Sequence, residues 1–157
     1  MSANPDIQAL KVGVARSDIT PPIGIKSSGF ANRGPLTKLH DPLYATAVVF
    51  QLSNQHVVLI SCDLLGLDAE TVDEIRHDIH MTTDLPVGAI TISCTHTHYG
   101  PDPYRDQENP IIKHYRANLI HNICGVVKSA LLDMQPVVLH IGYGTSDIGI
   151  NRREKLP

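Results

Sequence analysis

The stretch "DPLYATAVVFQL" (41–52) alternates strictly, with Tyr44, Thr46, Val48, Phe50 and Leu52 on one face of a predicted strand. After "SNQ" the run "HVVLIS" returns, so the two segments read as a hairpin. The return strand is apolar on both faces and ends at Asp63, which predicts a central position covered on both sides. Period 2 then gives way to period 3.6. In "LDAETVDEIRHDIH" Asp68 is a helix cap, acids fill the first turn, and Val72, Ile75 and Ile79 recur at helical spacing until "DLPVG". A second strand, "AITISCTHTH" (89–98), follows, so residues 57–98 predict a strand-helix-strand unit with a parallel, right-handed crossover.

The flanks complete the pattern. Upstream, "VGVARSDIT" begins as a short strand that "PPIG" stops. Residues 26–40, "KSSGFANRGPLTKLH", have no period, and an aperiodic loop of that length is expected to be functional or mobile. Downstream, Asn109 and Pro110 open a long helix to about Leu132, its stripe traced by Ile112, Tyr115, Leu119, Asn122 or Ile123, Val126 and Ala130. "QPVVLHIGYG" reads as a final strand, and the close on "SDIGINRREKLP" is expected of a domain cut at its C-terminal end. The pattern as a whole predicts an α/β fold, a mixed and partly parallel sheet with flanking helices, forming a single domain over 1–157.

Composition narrows the partners. With 157 residues, 42% of them hydrophobic and 18% charged, the chain is long enough for one domain with a real core. Its net charge is -3 and its basic residues cluster no further than Arg152-Arg153, which argues against nucleic acid or an anionic membrane as partner. No apolar run approaches the ~18 residues of a membrane span, and the opening lacks the pattern of a secretory signal. The expected location is cytoplasmic, with secretion open if the chain is a fragment. Cys62, Cys94 and Cys124 match neither a disulfide framework nor a CxxC site, so reduced thiols are expected. Nine histidines are many for this length, and they direct attention to where they fall.

Residues 92–103, "ISCTHTHYGPDP", end an apolar strand in two histidines one residue apart. On a regular strand His96 and His98 continue the row of Ile90, Ile92 and Cys94 and emerge together into a crevice. Parallel strands end together, so Asp63 is expected to converge on them at the carboxyl edge of the sheet, where α/β folds place their ligands. Two imidazoles at this spacing can reach one zinc ion at ~2.0–2.1 Å, though a usable site needs another ligand. The threonine hydroxyls beside them are candidates for fixing the ring tautomers, and Gly100 for close backbone approach to a ligand.

The competing reading is a pair of satisfied structural histidines. Asp63 reads as a metal ligand, as the acceptor behind a ligating histidine, or as the cap of the next turn. His40, before Asp41-Pro42, reads as a turn histidine, His56 as solvated, and His77, His80, His114, His121 and His140 carry no ligand pattern of their own. Arg152 follows a glycine-rich exit that can aim its guanidinium at a carboxylate or developing oxyanion, or leave it in solvent. No phosphate loop, GxSxG elbow or HExxH helix is present.

Taken together, "VGVARSDITPPIG", "GFANR", "HDPLYATAVVF", "ISCDLLGL", "ITISCTHTHYGP" and "INRR" stand in an order that resembles the N-terminal, catalytic domain of the neutral/alkaline non-lysosomal ceramidase family, from about Val12 to Arg152. The resemblance implies a zinc-dependent hydrolase of an N-acyl amide bond, in ceramidases that of ceramide, giving sphingosine and a fatty acid. It assigns zinc ligation to His96, a general acid/base or oxyanion role to His98, and a substrate-holding role to Arg152. His98, Asp63 and His40 are the further candidates for the metal shell. It also implies that a later histidine, a glutamate and a tyrosine complete that shell beyond residue 157. Ceramidases carry Ser-Gly-Pro-Gly-Gly after the histidines, whereas Tyr99-Gly100-Pro101-Asp102-Pro103 stands here, which leaves the particular amide open. The expected partner is a small-molecule or lipid amide. Two alternatives accompany this reading: a truncated, non-catalytic domain that needs a further segment, a partner chain or a second copy, and a different metal-dependent peptidase or esterase.

Overall fold

A computed structural model of the chain describes residues 9–104, 108–149 and 153. Five strands form one sheet in the order β4-β3-β2-β1-β5. They are β1 (Lys11–Asp18), β2 (Tyr44–Leu52), β3 (Gln55–Cys62), β4 (Ile90–Cys94) and β5 (Gln135–Pro136), with helices α1 (Ala69–Thr83) and α2 (Pro110–Leu132). The β2–β3 hairpin is antiparallel, with Ser53 left-handed in its turn. The β3–α1–β4 unit is parallel as expected, Val58 pairing with Ile90 and Cys62 with Cys94. The sheet is therefore mixed and partly parallel, in an α/β fold.

Both helices start where their caps lie. The Asp68 carboxylate accepts from the Thr71 N–H at 2.9 Å, and the Asn109 side chain accepts from the Ile111 N–H at 3.0 Å with Pro110 in the first turn. These groups satisfy N–H donors that no helical carbonyl can reach. α1 and α2 pack on each other and cover one face of the sheet. That face is built small under α2, from Gly13, Ala15, Ala45 and Ala47, which lets the helix lie close. A Cβ on Gly13 would fall 1.8 Å from the Ala130 carbonyl oxygen. Val49, Val58, Ile60 and Cys62 continue the buried row against Ile75, Ile79, Ile123 and Val127.

The other face differs from expectation. β3 is covered on one side rather than two: its Val58 and Ile60 are buried, whereas Val57 and Leu59 remain 49% and 44% exposed. The row Val12–Phe50–Val57 and the row Val14–Val48–Leu59 cross this open face. The two helices follow crossovers that bring both to the same side, and an antiparallel β2–β3 pair does not require a second layer.

Two strand boundaries are also corrected. β4 stops at Cys94, not His98, because β3 bends away at Asp63 and leaves Thr95 N–H to Cys62 O, at 3.0 Å, as the last bond of the ladder. The final strand is two residues long rather than ten. It pairs with Lys11 and Val12, runs off the N-terminal end of β1 after the Val137 N–H to Leu10 O bond, and residues 137–149 form no further ladder. Among the described residues no helix is long and apolar enough to cross a membrane.

Candidate metal and catalytic site

The carboxyl ends of β3 and β4 lie side by side, and the chain beyond each supplies the candidate groups. Asp63 is committed to the backbone there. Its N–H donates to the Tyr44 carbonyl at 2.9 Å and its carboxylate accepts the Tyr44 N–H at 3.0 Å, so it ties the exit of β3 to the start of β2.

Past Cys94 the chain leaves the ladder. His96 sits in the left-handed region at φ 61°, a conformation that a non-glycine residue adopts only when its surroundings hold it there. Its Nδ1 lies 2.9 Å from the Leu65 carbonyl oxygen. A carbonyl only accepts, so the proton is on Nδ1 and the lone pair of the neutral ring is on Nε2. Leu65, just past the end of β3, thus fixes the ring that β4 delivers. Neither neighbouring threonine does so; the Thr97 hydroxyl accepts from the Tyr99 N–H at 3.2 Å and stabilises the local turn.

The two imidazoles meet although the strand does not reach them. Their ring centroids are 5.0 Å apart at 71°, brought together by the left-handed turn rather than by strand alternation. His98 is half-buried, with the Phe30 ring edge-on to it at 5.0 Å and 81°, while its carbonyl accepts from Arg33 Nη1 at 2.9 Å. Gly100 packs inward, where a Cβ would meet Thr97 and Leu43 at 3.3 and 3.4 Å, and its carbonyl accepts from the Ser28 N–H at 3.1 Å.

His40 lies apart from the pair, exposed, its Nδ1 2.6 Å from the Asp41 carboxylate. Both line a cavity of about 540 Å³ whose walls are mostly apolar: Pro21, Ile23, Leu36, Leu39 and Leu43. Thr97 and Tyr99, the two neighbours of His98 in the chain, line it as well. Arg152 lies outside the described residues. Among the described residues no three histidines, cysteines or acids gather in a metal-binding group, so His96 and His98 form a pair that neither Asp63 nor His40 joins.

The three thiols are held in their protonated form. Burial pushes Cys62 up to about 12, with the Cys94 and Asp63 charges adding to the rise, and burial raises Cys94 as well. Cys124 is raised to about 11, again chiefly by burial. All three are free thiols, and a raised thiol is a poor nucleophile and a poor ligand until it loses its proton.

Sequence reasoning missed Leu65 and the part played by residues 27–33. The "GFANR" segment stood out as a motif and its loop as too long to be a connector, but nothing in a linear pattern says that Phe30 and Arg33 reach residue 98.

The geometry defines an α/β domain that carries a histidine pair at the carboxyl edge of two parallel strands. Two solved structures of similar fold are ceramidases. The neutral ceramidase from Pseudomonas aeruginosa matches with a TM-score of 0.70 and 17% identity, covering 83% of this chain and 23% of that one. A ceramidase complexed with C2 matches at 0.68 and 16%, over 82% of this chain and 22% of that one. The likeness is one of fold, and the chain spans about a quarter of the length of these neighbours. No family model and no curated protein matches the sequence.

Proposed function

We propose that this chain contributes the His96–His98 pair to a zinc-dependent hydrolase that cleaves an N-acyl amide. The observation that carries the reading is the His96 ring, turned by the Leu65 carbonyl so that Nε2 is its donor and set against His98 at the carboxyl edge of the β3–β4 pair. A ligating histidine characteristically gives its other N–H to a backbone carbonyl, so this ring fits a zinc ligand. His96 would hold the ion through Nε2, and the rest of the shell would come from groups outside the pair, which leaves His98 free for proton transfer. Bound zinc supplies a Lewis acid for the amide carbonyl and lowers the pKa of its water to about 7.

The remaining work falls to side chains. His98 carries a proton to the leaving amine nitrogen, a role that suits an imidazole near neutral pH. Arg152 is proposed to hold the carbonyl-derived oxygen or a polar group of the substrate. The mostly apolar cavity beside Thr97 and Tyr99 suits the hydrocarbon part of an N-acyl substrate. The fold shared with ceramidases makes ceramide the first amide to try.

The test is turnover of a short-chain ceramide, simple N-acyl amides, esters and peptides by the full chain, with and without a chelator. The reading predicts amide cleavage that the chelator abolishes and zinc restores, and that His98→Ala lowers by about 10²–10⁴-fold. Cleavage confined to esters or peptides would transfer the site to another hydrolase class, and cleavage indifferent to the chelator would remove zinc from the account.

A further inference from the structure

The two histidines are held by different parts of the chain. His96 is fixed from the β3 exit through Leu65, and His98 from the long loop between β1 and β2. That loop is closed on itself and on the histidine segment. The Leu36 N–H donates to Ile25 O at 2.7 Å, the Gly24 N–H to Leu36 O at 2.8 Å, and Lys26 bridges Pro35. Ser28, buried, donates from its hydroxyl to Pro101 O at 3.0 Å and from its N–H to Gly100 O at 3.1 Å, while Ser27 bridges Pro101.

On this base three residues bear on His98 itself. Gly29 has φ +92°, and a Cβ there would stand 2.5 Å from His98 Cγ and 2.9 Å from its Cα, so only glycine permits the approach. Phe30 places its ring edge-on to the imidazole. Arg33 donates to the His98 carbonyl while its guanidinium lies 4.3 Å over the Phe30 ring and 4.4 Å over the Tyr99 ring. The guanidinium thereby joins both sides, fixing Phe30 and the His98 backbone relative to one another.

We infer that Gly29, Phe30 and Arg33 are positioning residues for His98, a clamp that sets its ring while leaving His96 to Leu65. The inference rests on His98 being the working acid/base of the proposed hydrolase. A loop built only for stability would need neither a glycine against the imidazole nor an arginine bound to that residue's carbonyl, and Phe30 would bury its ring rather than leave it 49% exposed.

The experiment uses Arg33→Gln, Phe30→Leu, Phe30→Tyr and Gly29→Ala in the full chain, read by aromatic ¹H–¹³C spectra of the histidine rings and by kcat and KM. In Arg33→Gln and Phe30→Leu the His98 ring signals lose their ring-current displacement and move further than those of His96. kcat falls about 10- to 100-fold with KM nearly unchanged, as displacement of a catalytic group by up to about 1 Å does. Phe30→Tyr, which keeps the ring, restores both. Gly29→Ala moves His98 most if it folds, and the half-exposed Phe30 and Arg33 carry the test if it does not. Unmoved His98 signals in Arg33→Gln and Phe30→Leu, or equal movement of His96 and His98, overturn the clamp. The ring signals decide this whether or not substrate turns over, whereas turnover by the unsubstituted chain decides the hydrolase reading separately.

Discussion

The β3–β4 ladder and the loop that follows it are joined at Cys94, yet different physics governs each. Within the ladder, side-chain direction follows from register: Ile60 pairs with Ile92 and Cys62 with Cys94, and alternation sorts buried from exposed. One bond past Cys94 the alternation ends, and His96 turns left-handed. What then places the histidines is contact with remote segments, Leu65 for one ring and residues 29–33 for the other. A scaffold that is rigid by repetition delivers a loop that is specific by exception, and the site lies on the second.

Substitutions on the two sides of that boundary should part stability from chemistry. Ile60→Ala, which empties a fully buried position of the ladder, costs about 2–5 kcal/mol, while the half-exposed neighbour Leu59→Ala costs under about 1 kcal/mol. Urea unfolding measures both, and equal costs would mean that the open face is covered in solution. Tyr115→Phe comes next. Its hydroxyl donates to the Ile19 carbonyl at 2.7 Å in a buried setting, and leaving that acceptor unpaired costs about 1–3 kcal/mol in the same assay.

Asp68→Ala removes the α1 cap and costs about 1 kcal/mol at neutral pH. Hydrogen bonds from Thr71, side chain first, hold the Asp68 carboxyl below its ordinary value against a smaller opposing effect of burial. A carboxyl depressed in the folded state stabilises above its unfolded value, about 3.9, and that contribution disappears as pH falls through the lower folded value. The difference between the two proteins should therefore be constant above about pH 5 and shrink below about pH 4. Smallest is Asp63→Asn, which keeps an acceptor for the Tyr44 N–H. As a strand tie it changes stability by no more than about 0.5 kcal/mol and leaves zinc affinity in place, whereas as a ligand it would lose the metal.

Much of the fold could be read from periodicity because ladders and capped helices write themselves into the sequence. Asp68 and Asn109 announced their helices, and the parallel β3–α1–β4 unit followed from two strands around one amphipathic helix. The errors fall where pairing partners decide the outcome. Residues 137–144 are apolar enough for a strand but pass the end of β1, and β3 is apolar on a face that the two helices leave open. At the site, strand alternation predicts His96 and His98 side by side; their rings do meet, but through the left-handed turn, since the strand stops at Cys94. Leu65 acts through its carbonyl, a group every residue carries, so no sequence pattern could single it out.

If the Leu65 carbonyl sets the ring, His96 offers its lone pair at Nε2. Long-range ¹H–¹⁵N correlation of the histidine rings reads this directly at neutral pH, first without metal and then during addition of Zn²⁺. The expected result is the Nδ1–H tautomer of His96 before any metal is added, with its Nε2 signal the one that zinc displaces. A proton on Nε2, or a His96 ring unmoved while zinc binds elsewhere, would contradict it.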